Sequence, residues 1–173
     1  MALNRHTIAP TSRLKVISLD DATFVEAQFN PKEISVDKSV PWTKHKESKS
    51  ESPHLEFTGA EPMSMSFELL FDGAETGDDV QAEIDKLLTM ARIIDFSKEE
   101  LKRPHRVKVI WSDAAPPSDV KARSSATSSL LPFEGVIASV ATKYQMFSSA
   151  GTPLRAICTL KLTQANQASF KKK

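Results

Sequence analysis

Residues 63–71, Met-Ser-Met-Ser-Phe-Glu-Leu-Leu-Phe, carry the clearest alternation in the chain. Met63, Met65, Phe67, Leu69 and Phe71 fall on one side of an extended backbone, and Ser64, Ser66, Glu68 and Leu70 on the other. A period of two places apolar side chains on one face of a pleat, so this is a half-buried strand. Working outward, residues 13–19 and 23–29 read as a hairpin turned at Asp20-Asp21-Ala22, since aspartate tolerates tight turns and bonds its own backbone. Residues 33–40 read as another strand, with Ile34, Val36 and Lys38 on one face. Beyond the helix described next, residues 106–111, 133–146 and 154–163 read as three more. Ser148 to Pro153 turns the last pair into a hairpin.

One segment has helical spacing. Val80, Ile84, Leu87, Leu88 and Ala91 recur at i, i+4, i+7, i+8 and i+11, which makes one apolar stripe for a core. Asp78 or Asp79 is expected to cap its N-terminus, and the helix to end near Ile94. The sum is α+β: about six or seven strands in a mainly antiparallel sheet, closed as a barrel or packed as a sandwich, with one flanking helix.

The 173 residues suit one domain of 19.1 kDa. The expected organisation is an arm at 1–11, the β domain at 12–163 and a basic tail at 164–173. Two stretches lack strand or helix spacing. Residues 41–62 form a polar loop of mixed charge, a length that is uncommon inside a compact domain unless functional. Residues 112–131 are rich in Ser, Ala and Pro and read as a flexible insertion.

Composition narrows the function. Lys+Arg number 23 and Asp+Glu 22, so the net charge of +1 lacks the basic excess of a nucleic-acid binder. A single cysteine, Cys158, allows no internal disulfide and fits a reducing compartment. No apolar run approaches the roughly 18 residues of a membrane span, and the N-terminus has no apolar leader core. The expectation is a soluble chain assembled in the cytoplasm and not inserted in a membrane.

Catalytic, metal and cofactor signatures fail in turn, and none is expected. Five glycines include no phosphate-cradling spacing. His6, His45, His54 and His105 show no metal-ligand spacing, and no serine sits in a nucleophile elbow. Cys158, between Ala156 and Leu160 on one strand face, reads as a small buried hydrophobe. Asp20-Asp21, Asp78-Asp79 and Glu99-Glu100 have ordinary places in a turn, a helix start and a solvated connection.

Assembly remains. The polar loop carries Trp42 near one end and Leu55 and Phe57 near the other. Lys44, Lys46, Glu47, Lys49 and Glu51 lie between them. Aromatic ends suited to pockets and charges that set register are the composition of a subunit interface.

Several phrases, in order, carry a resemblance. They are Gln28-Phe29-Asn30-Pro31, Val40-Pro41-Trp42, Leu55-Glu56-Phe57-Thr58-Gly59-Ala60-Glu61-Pro62, Phe67-Glu68-Leu69-Leu70-Phe71-Asp72, Pro104-His105 and Trp111. Phe133-Glu134-Gly135-Val136-Ile137, Tyr144-Gln145-Met146-Phe147 and Gly151-Thr152-Pro153-Leu154-Arg155-Ala156 complete the set. Together they resemble the tube-like, baseplate-proximal protein of extracellular contractile injection systems, the phage-tail-like particles. The resemblance implies a tail-tube barrel that forms a hexameric ring and joins the spike hub to the inner tube. Its implied partners are further copies of itself, the inner tube protein, the spike or hub protein, and baseplate or sheath components. It also implies a place in a particle that can be released from the cell. Members of that family often continue into a LysM module; with ten residues after Thr163, none is expected here. The alternative readings are the main inner-tube protomer of the same particle and a small β-barrel module binding nucleic acid or carbohydrate.

Overall fold

A computed structural model describes residues 12–45, 54–112 and 131–165. The elements, in chain order, are β1 (Arg13–Ser18), β2 (Phe24–Glu26), β3 (Ile34–Asp37), β4 (Trp42–His45), β5 (His54–Phe57), β6 (Ser64–Asp72), α1 (Gln81–Ala91), β7 (Arg106–Ser112), β8 (Phe133–Phe147) and β9 (Pro153–Gln164), with a short 3-10 turn at Glu99–Leu101. Seven strands form one antiparallel sheet in the order β2-β1-β7-β8-β9-β6-β3. The α+β class with one flanking helix is the observed one.

The two ends of the sheet belong to one stretch of chain. β2 pairs with β1, β3 pairs with β6, and between them Phe29 bridges Leu70. Residues 24–37 thus change partner midway and close the sheet into a barrel. The Gln28-Phe29-Asn30-Pro31 phrase performs the switch. The Gln28 side-chain amide donates to the Asp72 carbonyl at 2.8 Å and accepts the Asp72 N–H at 2.7 Å. The Asn30 amide accepts the Leu14 N–H at 2.9 Å and donates to the Ser12 carbonyl at 2.7 Å. Each side chain substitutes for a missing strand neighbour, so backbone groups at the seam stay paired as burial requires.

The barrel and helix enclose one core. Leu14, Val16, Met65, Phe67, Leu69, Phe71, Val107, Val109, Ile137, Leu160 and Leu162 meet there. On α1, Ile84, Leu87 and Met90 are buried; Leu88 and Ala91 pack at its margin, and Val80 is buried just before the first turn. Cys158 is fully buried beside Leu160, 3.4 Å from the Thr142 hydroxyl, and burial pushes its thiol pKa up.

Four expectations need correction. Residues 41–62 are not a loop throughout. β4 and β5 pair antiparallel, Trp42 with Phe57 and Lys44 with Leu55, into a separate two-stranded ribbon; residues 46–53 lie outside the described residues. Four residues on each side are too few to show an alternation among charged neighbours. The helix stops at Ala91, short of Ile94, because Arg92 is extended and the chain turns back. Ile93 bridges Pro104, and the His105 N–H reaches the Met90 carbonyl at 3.1 Å. The capping residue by position is Val80, although the Asp79 carboxylate still accepts the Gln81 N–H at 2.8 Å. Of the 112–131 segment, Ser112 ends β7 and Leu131 is a buried core residue. Residues 113–130, like the arm at 1–11 and the tail from 166, lie outside the described residues.

Gly135 explains the Phe133-Glu134-Gly135-Val136-Ile137 phrase. A Cβ there would lie 2.2 Å from the Thr163 carbonyl oxygen, a backbone atom with nowhere to go. Gly135→Ala should therefore force β8 off β9. The expected loss is about 1–3 kcal/mol, an overpacking cost, read as a lower urea midpoint with unchanged slope.

Candidate functional site

The β4–β5 ribbon leaves the barrel between β3 and β6. Its root is fastened by the Glu61 N–H to the Ser39 carbonyl (3.2 Å), by the Lys38 ammonium to the Glu61 carbonyl (2.6 Å) and by the Thr58 hydroxyl to the Pro41 carbonyl (3.0 Å). The pairing register places Trp42, Lys44, Leu55 and Phe57 on one face. Trp42 and Phe57 stack at a tilt, with ring centroids 5.4 Å apart and planes at 59°. Such a cross-strand aromatic pair is the chief stabilising contact that a short ribbon has. Both rings remain more than half exposed (54% each) and Leu55 is 50% exposed. The predicted set is thus partly assembled. Trp42, Lys44, Leu55 and Phe57 form one surface, while Lys46, Glu47, Lys49 and Glu51 lie outside the described residues. Val80, Ile84, Leu87, Leu88 and Ala91 belong to the core and are remote from this chemistry.

A second apolar surface was not anticipated. At the far end of the β8–β9 hairpin, Tyr144 and Phe147 lie 6.3 Å apart beside Met146, all exposed. The Tyr144 hydroxyl donates to the Gln81 side chain at 2.7 Å, tying the hairpin to the first turn of α1.

The polar clusters serve architecture. Ser18, His105 and Asp21 come together, a trio that invites comparison with a hydrolytic triad. The Ser18 hydroxyl oxygen lies 2.9 Å from His105 Nδ1, and the Asp21 carboxylate is 3.8 Å from that same nitrogen. A triad needs serine and carboxylate on opposite ring nitrogens. Ser18 is also fully buried and accepts the N–H groups of Asp20 and Asp21, which fixes the turn. Among the described residues no group of three or more His, Cys, Asp or Glu side chains could hold a metal, and no helix is long and apolar enough to cross a membrane.

Beside that trio, Arg103 grips Asp20 with two bonds, of 2.9 and 2.6 Å, and the Arg106 N–H adds a third at 2.8 Å. The Arg103 side chain, which follows the charged stretch at Glu99-Glu100, is only 11% exposed. The Arg103 guanidinium holds the Asp20 carboxyl below the ordinary aspartate value of 3.8, against the opposing effect of burial. A depressed carboxyl favours the folded state above the unfolded pKa, and that contribution is lost as pH falls through the folded pKa. Arg103→Met should cost about 2 kcal/mol near neutral pH, discounted for residual solvent. The gap from the parent chain should narrow below about pH 4, as protonated Asp20 no longer discriminates. Urea melts across that range read both quantities. Asp72 is likewise held low, first by hydrogen bonds from Arg155 at 3.0 and 2.6 Å and then by the Ala74 N–H.

The exposed apolar surfaces are a fastened ribbon with an aromatic face and a hairpin tip, carried on a closed barrel. In comparisons with known proteins, no curated protein matches the chain. The family model described as "Contractile injection system tube protein" matches residues 2–173. With essentially the whole sequence covered and the barrel as its fold, the chain belongs to the contractile injection system tube protein family.

Proposed function

We propose that this tube component works as a hexameric ring joining the spike hub to the inner tube, with the β4–β5 ribbon of each copy docked on its neighbour. The carrying observation is the ribbon itself. It is fastened at its root and paired in register, yet Trp42, Leu55 and Phe57 are about half exposed. Ordered aromatic side chains left in water on a projecting arm are what a buried interface anchor looks like before its partner arrives. A contact between an arm and a different surface of the next copy is heterologous, and it closes into a ring when the rotation is a whole fraction of a turn. The net charge of +1 leaves little repulsion between copies. The partners are then further copies around the ring, the inner tube above, the spike hub below, and baseplate or sheath components outside. Assembly takes place in the cytoplasm, before release of the particle.

A second reading, the main inner-tube protomer, is favoured by the family description as a tube protein. Both readings require a ring and differ in its place. An epitope tag on this chain, imaged by gold labelling of whole particles, separates them. A single band of label at the junction of tube and spike is the expected result. Label repeated along the tube assigns the chain to the bulk tube instead.

A further inference from the structure

Where β2 gives way to β3, residues 30–33 bulge and open a groove of about 450 Å³ on the outward face of β6 and β9. Its walls include Phe29 and Pro31, and its floor Leu70, Ile157 and Glu68. Phe29 is half exposed. Leu70 and Ile157 are half-buried cross-strand partners, and one step along the same face Glu68 pairs with Thr159. The groove thus presents an apolar pair and, two residues away, a pair carrying a carboxylate. The ribbon presents the same spacing: the apolar pair Trp42 and Phe57, then Lys44 opposite Leu55.

We propose that the groove is the receptor for the ribbon of a second copy of this chain. This rests on the ribbon-docked ring above and names its receiving surface. Residues two apart on a strand stand about 7 Å apart on one face. Seating Trp42 and Phe57 over Leu70 and Ile157, with β4 antiparallel to β6, therefore brings Lys44 over Glu68. Two sheets laid face to face in this way pack about 10 Å apart, the spacing that interdigitating side chains fill. The occupant is another copy, because the ribbon's exposure shows that its own groove does not hold it. In addition, β3 runs from the groove toward the ribbon root, so a ribbon would have to double back to reach its own groove.

The test is a charge exchange read by light-scattering mass against concentration, with circular dichroism to show that each variant is folded. Lys44 and Glu68 are both exposed, so neither substitution disturbs the core. Lys44→Glu and Glu68→Lys should each raise the concentration for half-assembly about tenfold, the equivalent of ~1.4 kcal/mol per contact. The double variant should recover most of that loss. Single losses without recovery in the double variant overturn the proposed register. As a second arm, Ser66→Trp fills the groove from its rim and should block assembly. If Ser66→Trp and Glu68→Lys assemble normally while Trp42→Ser abolishes assembly, the groove is not the receptor, although the ribbon still docks elsewhere. If Trp42→Ser also assembles normally, the ribbon reading itself fails.

Discussion

Replacing Trp42 and Phe57 together with serine is expected to leave a folded barrel that no longer assembles. The two rings stack on each other and stand more than half in solvent, so the isolated subunit loses only the ribbon's own aromatic pair. That pair is worth about 0.5–1.5 kcal/mol beyond its area, and the loss falls on β4 and β5, outside the barrel core. In an interface the same rings are anchors, each worth roughly 2–4 kcal/mol when truncated. Losing both should weaken each contact by at least about three orders of magnitude. Circular dichroism and the thermal midpoint should stay close to the parent values while the scattering mass falls to that of one chain. Normal assembly of the double variant would remove the ribbon from the interface.

Leu87→Asp should have the opposite signature, with folding itself lost. Leu87 is completely buried on α1, between Ile84 and Met90, in the cluster shared with β6 and β9. Among the described residues the core around it is apolar, so a carboxylate there would be ionised without a partner or protonated at a large cost. The penalty, upward of ~4 kcal/mol, is comparable to the whole stability of many domains, about 5–15 kcal/mol. The expected product is insoluble or unfolded chain. Lys86→Asp, one residue away on the half-exposed side, should fold and serves as the control. Soluble, cooperatively melting Leu87→Asp protein would mean that the helix does not face the core.

Leu87 and the strand β6 also mark how far the sequence could be read. The stripe containing Leu87 is visible because a helix that covers a barrel must put apolar residues on one side at a period of 3.6. β6 is visible because one of its faces meets the core and the other does not. Met90 escaped notice: it extends the Leu87 stripe by one i+3 step, but the side chain resembles the other methionines scattered nearby. β1 and β7 are legible as strands, but not the burial of their lysines. Lys15 and Lys108 are nearly as buried as their apolar neighbours, with their ammonium groups 3.2 Å from Glu26 and 3.3 Å from Glu134. A charged residue that is buried because it is paired looks, in a sequence, like one that is exposed.

The proposed assembly surface was legible in composition and not in form. Trp42, Leu55 and Phe57 stood out as apolar residues in a polar stretch, yet their pairing depends on which residue faces which across the ribbon. A single strand of four residues carries no such information. The barrel seam was hidden for a related reason. Gln28 and Asn30 read as polar residues before a proline, and their work as stand-ins for strand neighbours appears only once Asp72 and Leu14 are beside them. The groove beneath that seam has no sequence signal, because its floor comes from β6 and β9, about 90 residues apart in the chain.

Electron microscopy of the purified chain, class-averaged at concentrations spanning the scattering transition, tests the central claim most directly. The account predicts closed rings with six-fold symmetry in the parent chain, and single barrels with no rings when Trp42 and Phe57 are both serine. Rings in the double variant, or only monomers of the parent at every concentration, would contradict it.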